Sequence, residues 1–169
     1  MPNDALVAAA RTLLEQVPDP EIPVVTLSDL GILRDVRWSE GGLEVVITPT
    51  YSGCPAMGQI EDDVTAALTQ LGCPVRVTTQ LAPAWTTDWI GEAAREKLRA
   101  YGIAPPGKTC ANTGGGVLRF VRDAALGAVA CPRCGSTQTR ESAHFGSTAC
   151  KALYKCLNCQ EPFDHFKPY

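Results

Sequence analysis

Leu43-Glu44-Val45-Val46-Ile47-Thr48 runs through Pro49-Thr50-Tyr51-Ser52-Gly53-Cys54-Pro55 into Met57–Leu71. The fold class follows from this stretch. In the first segment Leu43, Val45 and Ile47 share one face and Glu44 and Thr48 the other, the alternation of a strand. In the last, Ile60, Val64, Ala67, Leu68 and Leu71 recur at helical spacing, and Gly72 supplies a stop. A strand therefore turns into a helix, with Cys54 at or just before the helix N-terminus. Free backbone N–H groups and the helix dipole favour an anion there, so the spacing predicts a stabilised thiolate. Such a cysteine suits nucleophilic attack, metal ligation or redox exchange, or it is simply part of a cap and turn.

On the N-terminal side, Leu33–Trp38 reads as a strand joined to Leu43–Thr48 by the short connection Ser39-Glu40-Gly41-Gly42. A first helix is expected over Asp4–Gln16, capped by Asp4 and stopped by Pro18-Asp19-Pro20. On the C-terminal side, Val75–Leu81 alternates as a half-buried strand, and Asp88–Tyr101 reads as a helix ended by Gly102. The order α-β-β-α-β-α predicts an α+β domain, a small mixed sheet with helices, over residues 1–102. Residues 103–130, with Pro105-Pro106-Gly107 and Gly114-Gly115-Gly116, read as a linker holding at most a short strand at Val117–Val121. No Gly-Lys-Ser/Thr follows the glycines, so they are not a phosphate loop.

Residues 131–169 form a separate β module. Cys131-Pro-Arg-Cys134 and Cys156-Leu-Asn-Cys159 are two C-x2-C pairs with 21 residues between them. Four thiolates at this spacing close a tetrahedral shell around zinc, with room for a hairpin between the knuckles. A rubredoxin-like iron or an iron–sulfur centre is the competing occupant. A four-ligand zinc leaves no open position, so its expected role is to fold a module too small to build its own core. Cys150 is read as a packed strand residue, and Phe163-Asp164-His165-Phe166 as the last strand.

Composition narrows the function. The 169 residues are 45% hydrophobic and 20% charged, a globular balance, and no apolar run reaches membrane-spanning length. Met1-Pro2-Asn3-Asp4 lacks a basic leader, which makes a cytoplasmic chain with reduced cysteines the expectation. Residues 1–130 carry 10 basic and 15 acidic side chains and residues 131–169 carry 5 and 3. Neither part has the basic stripe that nucleic-acid binding requires. The only histidines, His144 and His165, both fall in the cysteine module. A thiol hydrolase using Cys54 would need one of them as its base.

Two segments share a distinctive pattern: Asp19-Pro20-Glu21-Ile22-Pro23 with Asp29-Leu30-Gly31, and Thr48-Pro49-Thr50-Tyr51-Ser52-Gly53-Cys54-Pro55. They resemble the signature segments of the small iron–sulfur assembly proteins related to SufT. Trp85-Thr-Thr-Asp-Trp-Ile-Gly-Glu-Ala-Ala-Arg-Glu-Lys-Leu98 and the ending Phe145-Gly-Ser-Thr-Ala-Cys150 with Glu161-Pro-Phe-Asp-His-Phe-Lys167 narrow the match. With these the chain resembles the PaaD family, accessory proteins of the phenylacetyl-CoA epoxidase system of phenylacetate degradation. The resemblance implies an α+β domain, a zinc ribbon and a part in maturing metallocofactors. It makes Cys54 the family's reactive cysteine and Asp19, Glu21 and Asp29 its acidic positions, together a transient site for iron or an iron–sulfur cluster. It implies as partners the di-iron oxygenase and the iron–sulfur reductase components, the reductase being favoured, along with iron–sulfur assembly proteins. A homodimer is a further partner it allows. Scaffolding of the oxygenase complex is the alternative role.

Overall fold

The computed structural model describes residues 2–107 and 128–169. The chain divides within one helix into two compact units, Met1–Lys97 and Leu98–Tyr169.

The first unit opens with α1 (Pro2–Leu14). Its start lies two residues before the expected one, and Pro2 occupies the first turn, where its missing N–H costs nothing. The chain then runs through a long loop to the antiparallel pair β1 (Leu33–Ser39) and β2 (Gly42–Ile47). Glu40 and Gly41, at φ 47° and 84°, form the two-residue turn between them. Positive φ at both central positions gives the turn a twist that matches the strands. The helix α2 (Met57–Leu68), extended by a 3-10 turn to Leu71, returns the chain to β3 (Val75–Thr79). That strand lies parallel to β2, in the sheet order β1-β2-β3. The mixed α+β sheet is the one expected. Gly72, at φ 66°, closes α2 in the left-handed conformation.

The core forms around β2, where Leu43, Val45 and Ile47 are at most 1% exposed. Ile60, Val64 and Leu68 of α2 and Ala10 and Leu14 of α1 are buried as well. The expected two-faced character of β2 is incomplete, because Val46 on the opposite face is also buried. A central strand is covered on both sides, so its alternation is weaker than an edge strand's.

The expected Asp88–Tyr101 helix is two pieces. A 3-10 turn, Thr87–Trp89, is capped by Thr86, whose Oγ1 accepts from the Asp88 N–H at 3.3 Å. Ile90 is extended, and α3 begins only at Glu92, running to Tyr101. Thr86 competes for the first turn, and Gly91 disfavours helix continuation.

The second unit is a four-stranded sheet in the order β4-β7-β6-β5, from β4 (Ile103–Ala104), β5 (Thr139–Ala143), β6 (Lys151–Cys156) and β7 (Pro162–Phe166). Ile103 and Ala104 correct the expected 103–130 linker: they pair in parallel with Asp164 and His165. Two residues after a helix are too short to show a strand period, so composition alone placed them in the linker. The expected strand at Val117–Val121 and the Gly114–Gly116 run lie outside the described residues. Ala104, Cys131, Cys156 and Phe163 form a small buried cluster beneath the knuckles, with Val129 and Tyr154 packed against it, and Ile103, Ala152 and Phe166 are buried in the same unit.

Candidate metal centre and cysteine–carboxylate site

The two C-x2-C pairs form matched knuckles. In the first, the Gly135 N–H donates to the Cys131 carbonyl at 2.8 Å, and Gly135 sits at φ 75°. In the second, the Cys159 N–H lies 3.5 Å from the Cys156 Sγ, and Gln160 takes the left-handed position at φ 64°. The glycine signalled the first turn in sequence; the glutamine concealed the equivalent one. Knuckle and strand are tied together by Cys156 N–H to the Glu161 carbonyl at 3.0 Å and Leu157 N–H to the Gln138 carbonyl at 2.8 Å.

All four Sγ atoms lie within 4.8 Å of one another. Cys131 to Cys159 is 3.8 Å, and Cys134 to Cys156 is 3.6 Å. Tetrahedral zinc at about 2.3 Å from each sulfur needs sulfur–sulfur edges of about 3.8 Å, so the donor set fits the metal. Cys131, Cys134, Cys156 and Cys159 would hold it, and the metal would supply cross-linking of the two knuckles with no open coordination position. Without metal the thiols polarise one another. The Ser136 N–H, and after it the neighbouring thiols, lower Cys134 to about 6. The Glu161 N–H opposes, but burial and the surrounding thiols outweigh it and raise Cys159 to about 12. Cys150 stands apart from the tetrad, buried, with its Sγ 3.0 Å from the Thr148 hydroxyl.

In the first unit Cys54 is 9% exposed, three residues before α2. Its N–H donates to the Tyr51 carbonyl and its carbonyl accepts from Met57 N–H, both at 3.3 Å. Burial raises its thiol pKa above the ordinary value, and the charges of Glu21 and Asp19 raise it further. The Ala56 N–H and the Tyr51 side chain lower it, but not enough. This overturns the expected stabilised thiolate. The amide of Ala56, the cap residue of the helix, does act on the sulfur, but burial and the two carboxylates outweigh it.

The same interaction joins three of the four expected site residues. Asp19, 6% exposed, accepts at Oδ1 from the N–H groups of Glu21 (2.9 Å) and Ile22 (2.8 Å). Its own N–H donates to the Val25 carbonyl at 2.9 Å. Asp29 is engaged elsewhere. Its Oδ2 accepts from Lys97 Nζ at 2.7 Å and from the Thr26 N–H at 3.0 Å. Partial burial alone would raise the Asp29 carboxyl, but Lys97 and Thr26 hold it below the usual carboxylate value. Sequence reading missed Tyr51 as a partner of the thiol, although it lies in the same signature segment. It also missed Thr48, whose buried Oγ1 has no hydrogen-bond partner among the described residues.

A small mixed sheet carrying a cysteine near two carboxylates, followed by a four-cysteine ribbon with a metal-ligand donor set, defines a two-module α+β protein. Residues 8–79 match the family described as iron–sulfur cluster assembly protein, and residues 120–167 match the PaaD zinc beta ribbon domain. The chain belongs to the PaaD family of 1,2-phenylacetyl-CoA epoxidase proteins. It is 51% identical over 158 residues, 92% of this chain and 88% of the other, to a protein of Escherichia coli K12 described as a putative 1,2-phenylacetyl-CoA epoxidase subunit. Over 100 residues, 59% of this chain and 91% of the relative, it is 37% identical to the "Fe-S protein maturation auxiliary factor YitW" of Bacillus subtilis. A crystal structure described as "Domain of Unknown Function DUF59 from Bacillus anthracis" superposes with TM-score 0.52 at 29% identity, covering 58% of this chain and 95% of that one. No described helix is long and apolar enough to cross a membrane.

Proposed function

We propose that this protein acts in phenylacetate degradation by helping to load iron or an iron–sulfur cluster into the 1,2-phenylacetyl-CoA epoxidase system, with the reductase as its client. The observation that carries the reading is the Cys54 thiol, nearly buried, with its pKa pushed up by burial and by the charges of Glu21 and Asp19. One thiol with two carboxylates is a poor permanent cage for a cluster, which takes four thiolates. It suits cargo that must also leave. An arriving cation is attracted by the carboxylates and displaces the thiol proton, so sulfur binds metal only while metal is present. The relationship to a putative epoxidase component and to two Fe–S protein maturation auxiliary factors supports the pathway and the cargo. Iron–sulfur assembly proteins would be the donors, in the cytoplasm.

The ribbon is structural in this reading. Catalysis by a Cys54–His pair is disfavoured. His165 is buried with Nδ1 3.2 Å from the Ala104 carbonyl, and His144 pairs with Glu141 at 3.3 Å. A scaffolding role has its own support in the exposed Phe145 and Leu157 of the ribbon, 66% and 48% exposed. One experiment separates them. In cells given phenylacetate, Cys54→Ala should leave oxygenase and reductase at normal levels but the reductase short of iron and labile sulfide. Fully loaded components should then epoxidise in vitro without this protein. Loaded components that stay inactive until stoichiometric protein is returned would establish the scaffold instead.

A further inference from the structure

The segment from Trp85 to Lys97 has no task in the proposed function, yet it grips the acidic loop at three places and the start of β1 at a fourth. The Trp85 indole Nε1 donates to the Leu30 carbonyl at 2.8 Å. Trp89 lies so close to Gly31 that a Cβ on the glycine would sit 2.8 Å from the Trp89 Cβ. The Arg34 guanidinium stacks 3.6 Å from the centre of the Trp89 ring. Lys97 Nζ donates to Asp29 Oδ2 at 2.7 Å. The gripping segment is itself pinned by the buried Arg95, which donates to the carbonyls of Ile90 and Thr87 at 3.2 and 2.9 Å.

From Asp29 the contacts continue toward Cys54. Thr26 and Asp29 exchange hydrogen bonds, backbone to side chain in both directions, at 3.0 and 3.1 Å. Thr26 forms a β-bridge with Pro18, and the Leu27 N–H donates to the Val17 carbonyl at 3.0 Å. These bonds close the loop whose interior holds Asp19 and Glu21. The Asp29 Oδ2 already accepts two donors, one of them cationic, so a metal would have to displace Lys97 to reach it. The charges that bear on Cys54 are those of Glu21 and Asp19.

We propose that Lys97, Asp29 and Trp85 are positioning residues for the Cys54 site: they hold shut the Pro18–Ile32 loop that presents Asp19 and Glu21 to the thiol, and Asp29 is not a metal ligand. The inference rests on Cys54 being the working thiol, but not on what the thiol carries.

The test uses the full-length zinc-loaded protein with Lys97→Gln, Asp29→Asn and Lys97→Arg. Two quantities are read: amide hydrogen exchange at Glu21 and Ile22, and the rate of Cys54 alkylation by iodoacetamide at one fixed pH. Lys97 is half-exposed, so its variants keep the fold, which a melting curve checks. Lys97→Gln and Asp29→Asn should speed exchange at Glu21 and Ile22 by about tenfold and Cys54 alkylation by about threefold, with little change in melting. Lys97→Arg should restore both. Unchanged exchange at Glu21 and Ile22 with unchanged alkylation would overturn the proposal, and so would an Asp29→Asn protein that loses iron(II) binding while its loop exchanges normally. Exchange and alkylation involve no iron, so failure of the loading experiment in cells leaves this result separately readable.

Discussion

The Sγ atoms of Cys131 and Cys159 stand 3.8 Å apart, close to the edge of a zinc-centred tetrahedron. They come from different knuckles, and the four sulfurs converge into a donor set that fits one shared metal. Purified protein should contain about one zinc per chain. A Cys131→Ser, Cys156→Ser double variant should lose it and with it the ordered knuckles, since two of the four buried residues of the cluster beneath them are these cysteines. Elemental analysis together with heteronuclear NMR of the full chain checks both. Full zinc in the double variant would reject the assignment.

The zinc should also be acid-labile in a defined direction. Metal binds the thiolate, and each thiol that must ionise adds a proton to the exchange. Cys159, raised to about 12, gives up a proton on binding at any ordinary pH. Cys134, lowered to about 6, is largely ionised at pH 7 and must also release a proton once pH falls below that value. Apparent zinc affinity should therefore weaken as pH falls, and more steeply below about pH 6. Competition with a chromophoric chelator on either side of that value measures the slope.

Two glycines in the first unit separate backbone strain from crowding. Gly53 is at φ 87° with nothing within 4 Å of the place a Cβ would take, whereas Gly31 is at φ 70° with Trp89 atoms at 2.8 and 3.3 Å. Gly53→Ala should cost about 1 kcal/mol, the strain alone. Gly31→Ala adds a clash that the indole and its backbone cannot easily relieve, and should cost about 2–4 kcal/mol. Urea unfolding of the two variants compares them directly.

Much of this architecture was written in the sequence. The hairpin at Glu40-Gly41, the β2–α2–β3 crossover and the two cysteine knuckles each carry a local signal of turn chemistry, period or ligand spacing. What stayed hidden depends on partners distant in the chain. Nothing near Asp29 announces that Lys97, 68 residues away, will take its carboxylate. The break at Ile90-Gly91 was passed over because Asp88 and Gly102 bracket the segment with a start and a stop signal. The Cys54 thiol was misjudged because its neighbourhood in the sequence is a helix start, while its neighbourhood in space includes Asp19 and Glu21. Proximity to a helix is a local argument; burial and charge are tertiary ones, and here they win.

Thr48, just after β2, has its hydroxyl buried and without a partner among the described residues, while its N–H donates to the Ile32 carbonyl at 2.9 Å. An unsatisfied buried hydroxyl is a net cost, and replacing it with a methyl removes that cost at nearly the same shape. Thr48→Val should therefore leave stability unchanged or raise it by up to about 1 kcal/mol. Denaturant midpoints decide. A loss of more than about 1 kcal/mol would mean that the hydroxyl has a bound partner in solution.

The thiol of Cys54 offers the sharpest check on the site itself. Its raised pKa means that, at neutral pH, the protonated form dominates and iodoacetamide should react with it slowly. Glu21 and Asp19 contribute to that rise through their negative charge, so neutralising either one moves the thiol downward, toward its ordinary value. At a fixed pH below that value, Glu21→Gln should then increase the thiolate fraction and speed Cys54 alkylation by about two- to threefold. Asp19→Asn should do the same, but its carboxylate also caps the Glu21 and Ile22 N–H groups, so a faster rate there combines charge loss with loop opening. Glu21→Gln is the cleaner variant. Following its alkylation by mass spectrometry from mildly acidic to alkaline pH should show the whole rate profile displaced to lower pH with its plateau unchanged. A profile that stays in place would mean that Glu21 does not act on the thiol, and the cysteine–carboxylate site would lose one of its members.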